Sequence, residues 1–227
     1  MSPHRVTLLT LVAACSNLTG DANGVVAIEI RAPAIPIIEV GDTARLSAQA
    51  IDGAGDTVAV TFRWRTPDTT LIVVDSLAGL VTNQAASGSG RVQALYGDFT
   101  SDFVTYTIVP RADTLVVRPD TLTVLKDSAA SPPLVALDSS AAEGALSGRR
   151  LVYLVVSPVD SSVELSGIGQ VLAATSGFDG TPSPPVTLDR VPGRPSPAQA
   201  AVEVRSYRPS GLLVPGSGQQ FTVKFEN

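Results

Sequence analysis

Histidine and cysteine are nearly missing from this chain: there is one of each, His4 and Cys15, both close to the N-terminus. One cysteine cannot build a disulfide framework or a thiolate cluster, and one histidine cannot furnish histidine-ligated zinc, iron or copper. Lys and Arg form no cluster in a chain of net charge −5, so the basic footprint that grips phosphate backbones is lacking and nucleic acid is not an expected partner. No apolar run approaches the roughly 20 residues of a membrane-spanning helix. No cofactor or metal is expected.

What is present begins at the N-terminus. A basic start (His4, Arg5), an apolar stretch from Val6 to Ala14 and small residues before Cys15 give the three parts of a secretory signal in order. The run Leu11-Val12-Ala13-Ala14-Cys15 resembles the lipobox of bacterial lipoproteins, with Val12 where Leu is commoner. That resemblance implies that residues 1–14 are removed and that Cys15 becomes the lipid attachment site. Ser16 after the cysteine, in place of Asp, is similar to an outer-membrane address. Cleavage would take away the only histidine and leave a net charge of −5 − 1 = −6. Ser-His-Asp and Cys-His catalysis would then lack their imidazole. Several acyl chains hold firmly to a membrane where one does so only marginally.

Residues 15–24 are the acylated cysteine and a small, polar tether. Beyond them short runs alternate. Val26, Ile28 and Ile30 are interleaved with Ala27 and Glu29, and Val60, Phe62 and Trp64 with Thr61, Arg63 and Arg65, a period of two that marks strands with one buried face. Pro33 and Pro36 suit a kinked edge strand. Asp52-Gly53-Ala54-Gly55-Asp56 reads as a tight turn. Further runs at 71–74, 90–96 and 103–109 complete about seven strands, a spacing that predicts a sandwich. A second unit begins at Asp113, where Leu115-Val116-Val117-Arg118-Pro119 repeats the form of Ile28-Glu29-Ile30-Arg31-Ala32-Pro33 at an offset of 118 − 31 = 87 residues. Its strands are expected at 122–125, 134–137, 150–156, 163–165, 186–188, 200–207 and 221–225. The fold class predicted is all-β, two β-sandwiches in tandem over 25–110 and 113–227.

The segment Val40-Gly41-Asp42-Thr43-Ala44-Arg45-Leu46-Ser47-Ala48, then Asp52-Gly53, Phe62-Arg63-Trp64-Arg65 with Pro67-Asp68, Val74-Asp75 with Gly79-Leu80-Val81-Thr82, and Gly90-Arg91-Val92-Gln93-Ala94, resembles the group 2 bacterial immunoglobulin-like domain over residues 25–109. Leu151 to Ser157, Asp179-Gly180-Thr181 and Val186-Thr187-Leu188 are similar to the invasin-like group 1 relatives. Both resemblances imply immunoglobulin-like sandwiches.

Trp64 with Phe62 could form a sugar-stacking platform, but alternation with Arg63 and Arg65 assigns both rings to the inner face, and the same reading puts Tyr153 and Phe178 in the core. Asp52 with Asp56, or Asp98 with Asp102, could contribute part of a calcium shell, though neither has EF-hand spacing and turn chemistry accounts for them. Arg149-Arg150 reads as charge guarding a strand end, or else as a docking contact for an acidic partner. Residues 193–197 and 209–218 are long connections, expected to be disordered or functional. Together these observations predict a non-catalytic, lipid-anchored envelope protein acting in adhesion or in a surface assembly, with an unidentified protein partner. The alternatives are a carbohydrate-binding module, a carboxylate-dependent glycan hydrolase, and a passive stalk.

Overall fold

The computed structural model describes residues 24–33 and 36–226, and among these the chain is all-β with no helix. Cys15 and the whole of segment 1–14 lie outside the described residues. Two apolar cores lie in series, each closed by two layers of strands, in tandem β-sandwiches.

The first sandwich contains β1 (Val25–Arg31), β2 (Ile37–Glu39), β3 (Thr43–Arg45), β4 (Ser47–Asp52), β5 (Thr57–Val58), β6 (Arg63–Arg65), β7 (Ile72–Val74), β8 (Leu80–Asn83), β9 (Gly88–Tyr96), β10 (Phe99–Thr100) and β11 (Val104–Val109). One layer has the orders β1-β4-β5 and β3-β8-β7. These are linked because β3 and β4 are one strand bent at Leu46, whose N–H donates to the Gly79 carbonyl at 2.8 Å. The other layer is β10-β9-β11-β2, with β6 on β9. Pro33 and Pro36 fall where the chain leaves β1, an edge strand of the first layer, for β2, an edge strand of the second that runs parallel to β11.

Several residues behind the family resemblance have a visible packing reason. Asp75 accepts hydrogen bonds from the N–H groups of Leu77 (2.8 Å) and Ala78 (2.7 Å), closing the turn that ends at Gly79. Gly79 has φ +62, and a Cβ there would stand 2.7 Å from Trp64 Nε1. Only glycine fits both the backbone and the ring. Trp64 is buried and Phe62 half-buried beside it, with ring centroids 6.4 Å apart.

The second sandwich contains β12 (Thr114–Val117), β13 (Thr121–Val124), β14 (Ala136–Ser140), β15 (Gly144–Leu146), β16 (Arg150–Ser157), β17 (Val163–Leu165), β18 (Val171–Ser176), β19 (Pro182–Ser183), β20 (Leu188–Arg190), β21 (Gln199–Tyr207) and β22 (Gln219–Phe225). Its main sheet has the order β13-β22-β21-β16-β18-β19, faced by β12-β14-β15 and β17-β20. The layer switch recurs: β12 pairs antiparallel with β14, while β13 runs parallel to β22. Tyr153 is fully buried against Phe221 and donates its hydroxyl to the Leu134 carbonyl at 3.0 Å. Along β16 and β21 every second side chain is buried, worth about 25 cal/mol per Å² of apolar area.

Four expectations are corrected. Val26 was placed on the core face with Ile28, but a register shift between Val25 and Ala27 adds a residue, so Val25 is buried and Val26 exposed. Phe178, read as core, is 74% exposed, because it lies in the Gly177–Gly180 turn after β18. The strands expected at 134–137 and 186–188 begin at Ala136 and Leu188, and β2, β3, β5, β8 and β10 of the first sandwich and β15, β18 and β19 of the second were not anticipated. Residues 209–218 follow a hydrogen-bonded course. Val214 is buried and donates to Ser206, and Leu115 donates to Pro215 at 2.8 Å.

Candidate functional site at the junction of the sandwiches

Strand β2 reads Ile37-Ile38-Glu39, a carboxylate in an apolar run. Period two sends Ile38 into the first core and turns Glu39 to the opposite face, which the second sandwich covers, so that Glu39 is fully buried. Arg149 immediately precedes β16 and Arg208 immediately follows β21. Arg150 and Tyr207 are cross-strand partners in that antiparallel pair, so the register brings Arg149 and Arg208 to the same end of the sheet. Arg149 Nη1 lies 2.9 Å from Glu39 Oε1, and Arg208 Nε lies 3.5 Å from Glu39 Oε2.

The linker is held by the same groups. Arg149 Nη2 donates to the Pro110 carbonyl, Arg208 Nη2 donates to the Ala112 carbonyl at 2.9 Å, and the Ala112 N–H donates to Glu39 Oε1 at 3.4 Å. On the outside, Arg111 faces Asp42 at 3.9 Å and Asp113 at 3.7 Å. One carboxylate and two guanidiniums thus clamp the two sandwiches and the segment between them.

Burial raises the Glu39 carboxyl above its ordinary value, while Arg149, the Ala112 N–H and Arg208 act in the opposite sense. Arg149 also feels Asp138, buried on β14 in the second core. Desolvation pushes Asp138 up to about 6, against a hydrogen bond from Ser206 Oγ at 2.8 Å and the Arg149 charge. Among the described residues, Asp138 Oδ1 has no hydrogen-bond partner. Beside the clamp opens a groove of about 450 Å³, walled by Ile37 of the first sandwich and Gly148, Arg150, Tyr207 and Pro209 of the second, with the clamp arginines reaching its surface.

The residues singled out in the sequence do not converge here, Arg149 and Arg150 excepted. Arg149, expected to guard a strand end, is instead a buried member of the clamp, because the first sandwich covers that end. Arg150 is exposed, with its guanidinium 5.6 Å from the centroid of the Tyr207 ring. Asp52 spends one carboxylate oxygen on the N–H groups of Ala54 and Asp56, both at 2.9 Å, which is turn chemistry. Asp98 and Asp102 are exposed on either side of β10. Among the described residues, no three of His, Cys, Asp and Glu are grouped closely enough to hold a metal ion. Glu39 and Arg208 were missed. The signal available for Glu39 was its position inside an apolar strand, whereas nothing local distinguishes Arg208.

No family model matches the chain, and no curated protein does. Solved structures match it across most of its length. Domains 4 and 5 of the S-layer protein SbsC are 16% identical, over 89% of this chain and 99% of that one, with a TM-score of 0.33. The Yersinia pseudotuberculosis adhesin InvE is 15% identical over 92% of this chain, which spans 62% of the adhesin chain, at a TM-score of 0.39. The fibronectin(III)-like modules of Clostridium thermocellum CbhA are 17% identical over 87% and 92%, at 0.42. These are likenesses of fold and say nothing of what this chain binds.

Proposed function

We propose that the protein is an exported, non-catalytic bacterial lipoprotein, anchored through Cys15 in the outer membrane of the cell envelope. Its two sandwiches, taken as residues 25–110 and 113–227, act together in adhesion or as a subunit of a surface assembly. The first is read as a group 2 bacterial immunoglobulin-like domain and the second as an invasin-like relative. The observation that carries the reading is the buried clamp of Glu39 with Arg149 and Arg208. It suits two modules that must hold a fixed mutual angle and present one continuous surface. A chain serving only as a loose stalk has no use for buried charge at its joint, where each ion costs several kcal/mol to desolvate.

The test is cellular. In a bacterial host with lipoprotein processing, the wild-type chain is expected in the membrane fraction, with acyl chains on Cys15 by mass spectrometry and a partner recovered by crosslinking after gentle detergent extraction. Cys15→Ala is expected in the soluble fraction. Wild-type chain recovered with an unmodified Cys15 would defeat the anchored reading.

A further inference from the structure

We propose that the groove beside the clamp receives an extended, acidic segment of a partner protein, laid along the open edge of β2 with a carboxylate on Arg150. Charge is the first argument. Arg149, Arg150 and Arg208 all line this groove, and among the described residues Glu39 is the one carboxylate paired with Arg149 and Arg208, so the hollow is locally positive in a chain of net charge −5. Arg149 and Arg208 are already committed to Glu39 and to the linker carbonyls. Arg150 is not: among the described residues it has no carboxylate within 4.0 Å, and its cross-strand neighbour Tyr207 holds the guanidinium at the wall. A guanidinium resting on a ring still offers its in-plane N–H groups to a carboxylate.

The second argument is the strand edge. Thr107 donates to the Pro36 carbonyl at 2.9 Å and Val40 donates to the Val109 carbonyl at 3.1 Å, so in this parallel ladder Ile37 and Glu39 turn their backbone groups away from β11. The Glu39 carbonyl is taken by the Asp42 N–H at 3.0 Å, whereas the parallel register turns the N–H and C=O of Ile37 toward the open edge of β2. Ile37 lines the groove. An edge that offers a donor and an acceptor at backbone spacing matches a peptide, which is the pairing used in strand addition. Room is available as well: at Gly148 and Gly211, on the groove's rim, nothing stands within 4 Å of where a Cβ would lie.

This proposal rests on reading the chain as a docking module, yet the two fail separately, because loss of the anchor in Cys15→Ala leaves the groove intact. The probe is a fluorescein-labelled seven-residue peptide of alternating valine and glutamate, titrated by anisotropy with the full-length chain in detergent. Saturable binding is expected. It should weaken at least tenfold when Arg150→Gln is introduced, when the glutamates are replaced by glutamine, and when alternate peptide amides are N-methylated. The last arm alters only the peptide, so it holds regardless of how the protein variant folds. Absence of saturable binding at millimolar peptide, equal binding of the glutamine peptide, or indifference to Arg150→Gln or to N-methylation would overturn the proposal. A galacturonate oligomer binding as tightly as the peptide, and in an Arg150-dependent way, would overturn it in favour of an acidic saccharide.

Discussion

Replacing Glu39 with alanine should uncouple the two sandwiches. Among the described residues, the substitution removes the one carboxylate within 4.0 Å of Arg149 and Arg208, whose side chains are 8% exposed, while leaving both guanidiniums largely shielded from water. Each retains a single carbonyl partner, Pro110 for Arg149 and Ala112 for Arg208, and the Ala112 N–H loses its acceptor. Breaking one side of a buried pair costs about 3–5 kcal/mol, because the remaining charge is uncompensated. For a urea m-value of about 2–3 kcal/mol per M, that loss shifts a midpoint by roughly 1–2 M. The assay uses the sole tryptophan. Trp64 lies in the first core, so its fluorescence reports that sandwich alone, while far-UV circular dichroism reports both. Wild-type traces should coincide, and those of Glu39→Ala should separate and move to lower urea. Glu29→Ala, at an exposed carboxylate on β1, should move the midpoint by less than about 0.5 kcal/mol equivalent. Coincident traces at an unchanged midpoint in Glu39→Ala would refute the view that buried charge holds the junction.

Asp138 predicts a pH dependence of opposite sense to the usual carboxylate. Its folded value of about 6 lies above the ordinary 3.8, so its contribution to stability is complete below about pH 3.8 and is lost as pH rises through about 6. At about 1.4 kcal/mol per pH unit, the buried carboxylate costs the fold about 3 kcal/mol at neutrality. Asp138→Asn should therefore raise stability at pH 7.5 by about 1–3 kcal/mol and flatten the profile between pH 4 and 6 in thermal unfolding; a variant less stable than wild type at pH 7.5 would contradict this. Gly79→Ala should destabilise the first sandwich by about 1–3 kcal/mol and perturb Trp64 emission, because the added carbon meets the indole and φ is positive. Unchanged emission and midpoint would count against the close approach.

The alternation that made β6, β16 and β21 legible is a local property: along each, buried residues fall at every second position whatever the strand pairs with. The same holds for the turns, since Asp52 and Asp75 bond amides within four residues of themselves. Where the pattern is weak, the reading failed. In β18 the inward positions are Leu172, Ala174 and Ser176, so burial alternates but the apolar signal fades along the strand, which depends on β16 for its place. Val26 was misassigned because a bulge is a fault in pairing, visible only against the partner strand.

Sequence alone therefore settled the fold class, its two-unit repeat and the positions of most strands, since these follow from the period of side-chain burial and from the conformational limits of Pro and Gly. Only the tertiary structure decided that Glu39, Arg149 and Arg208 form one buried cluster and that Arg150 is left facing a groove. Those relations depend on the layer switch into β2, on the β16–β21 register and on one sandwich covering the other. No short-range pattern records them, because a charge on a strand face reads the same whether water or a second sandwich lies opposite.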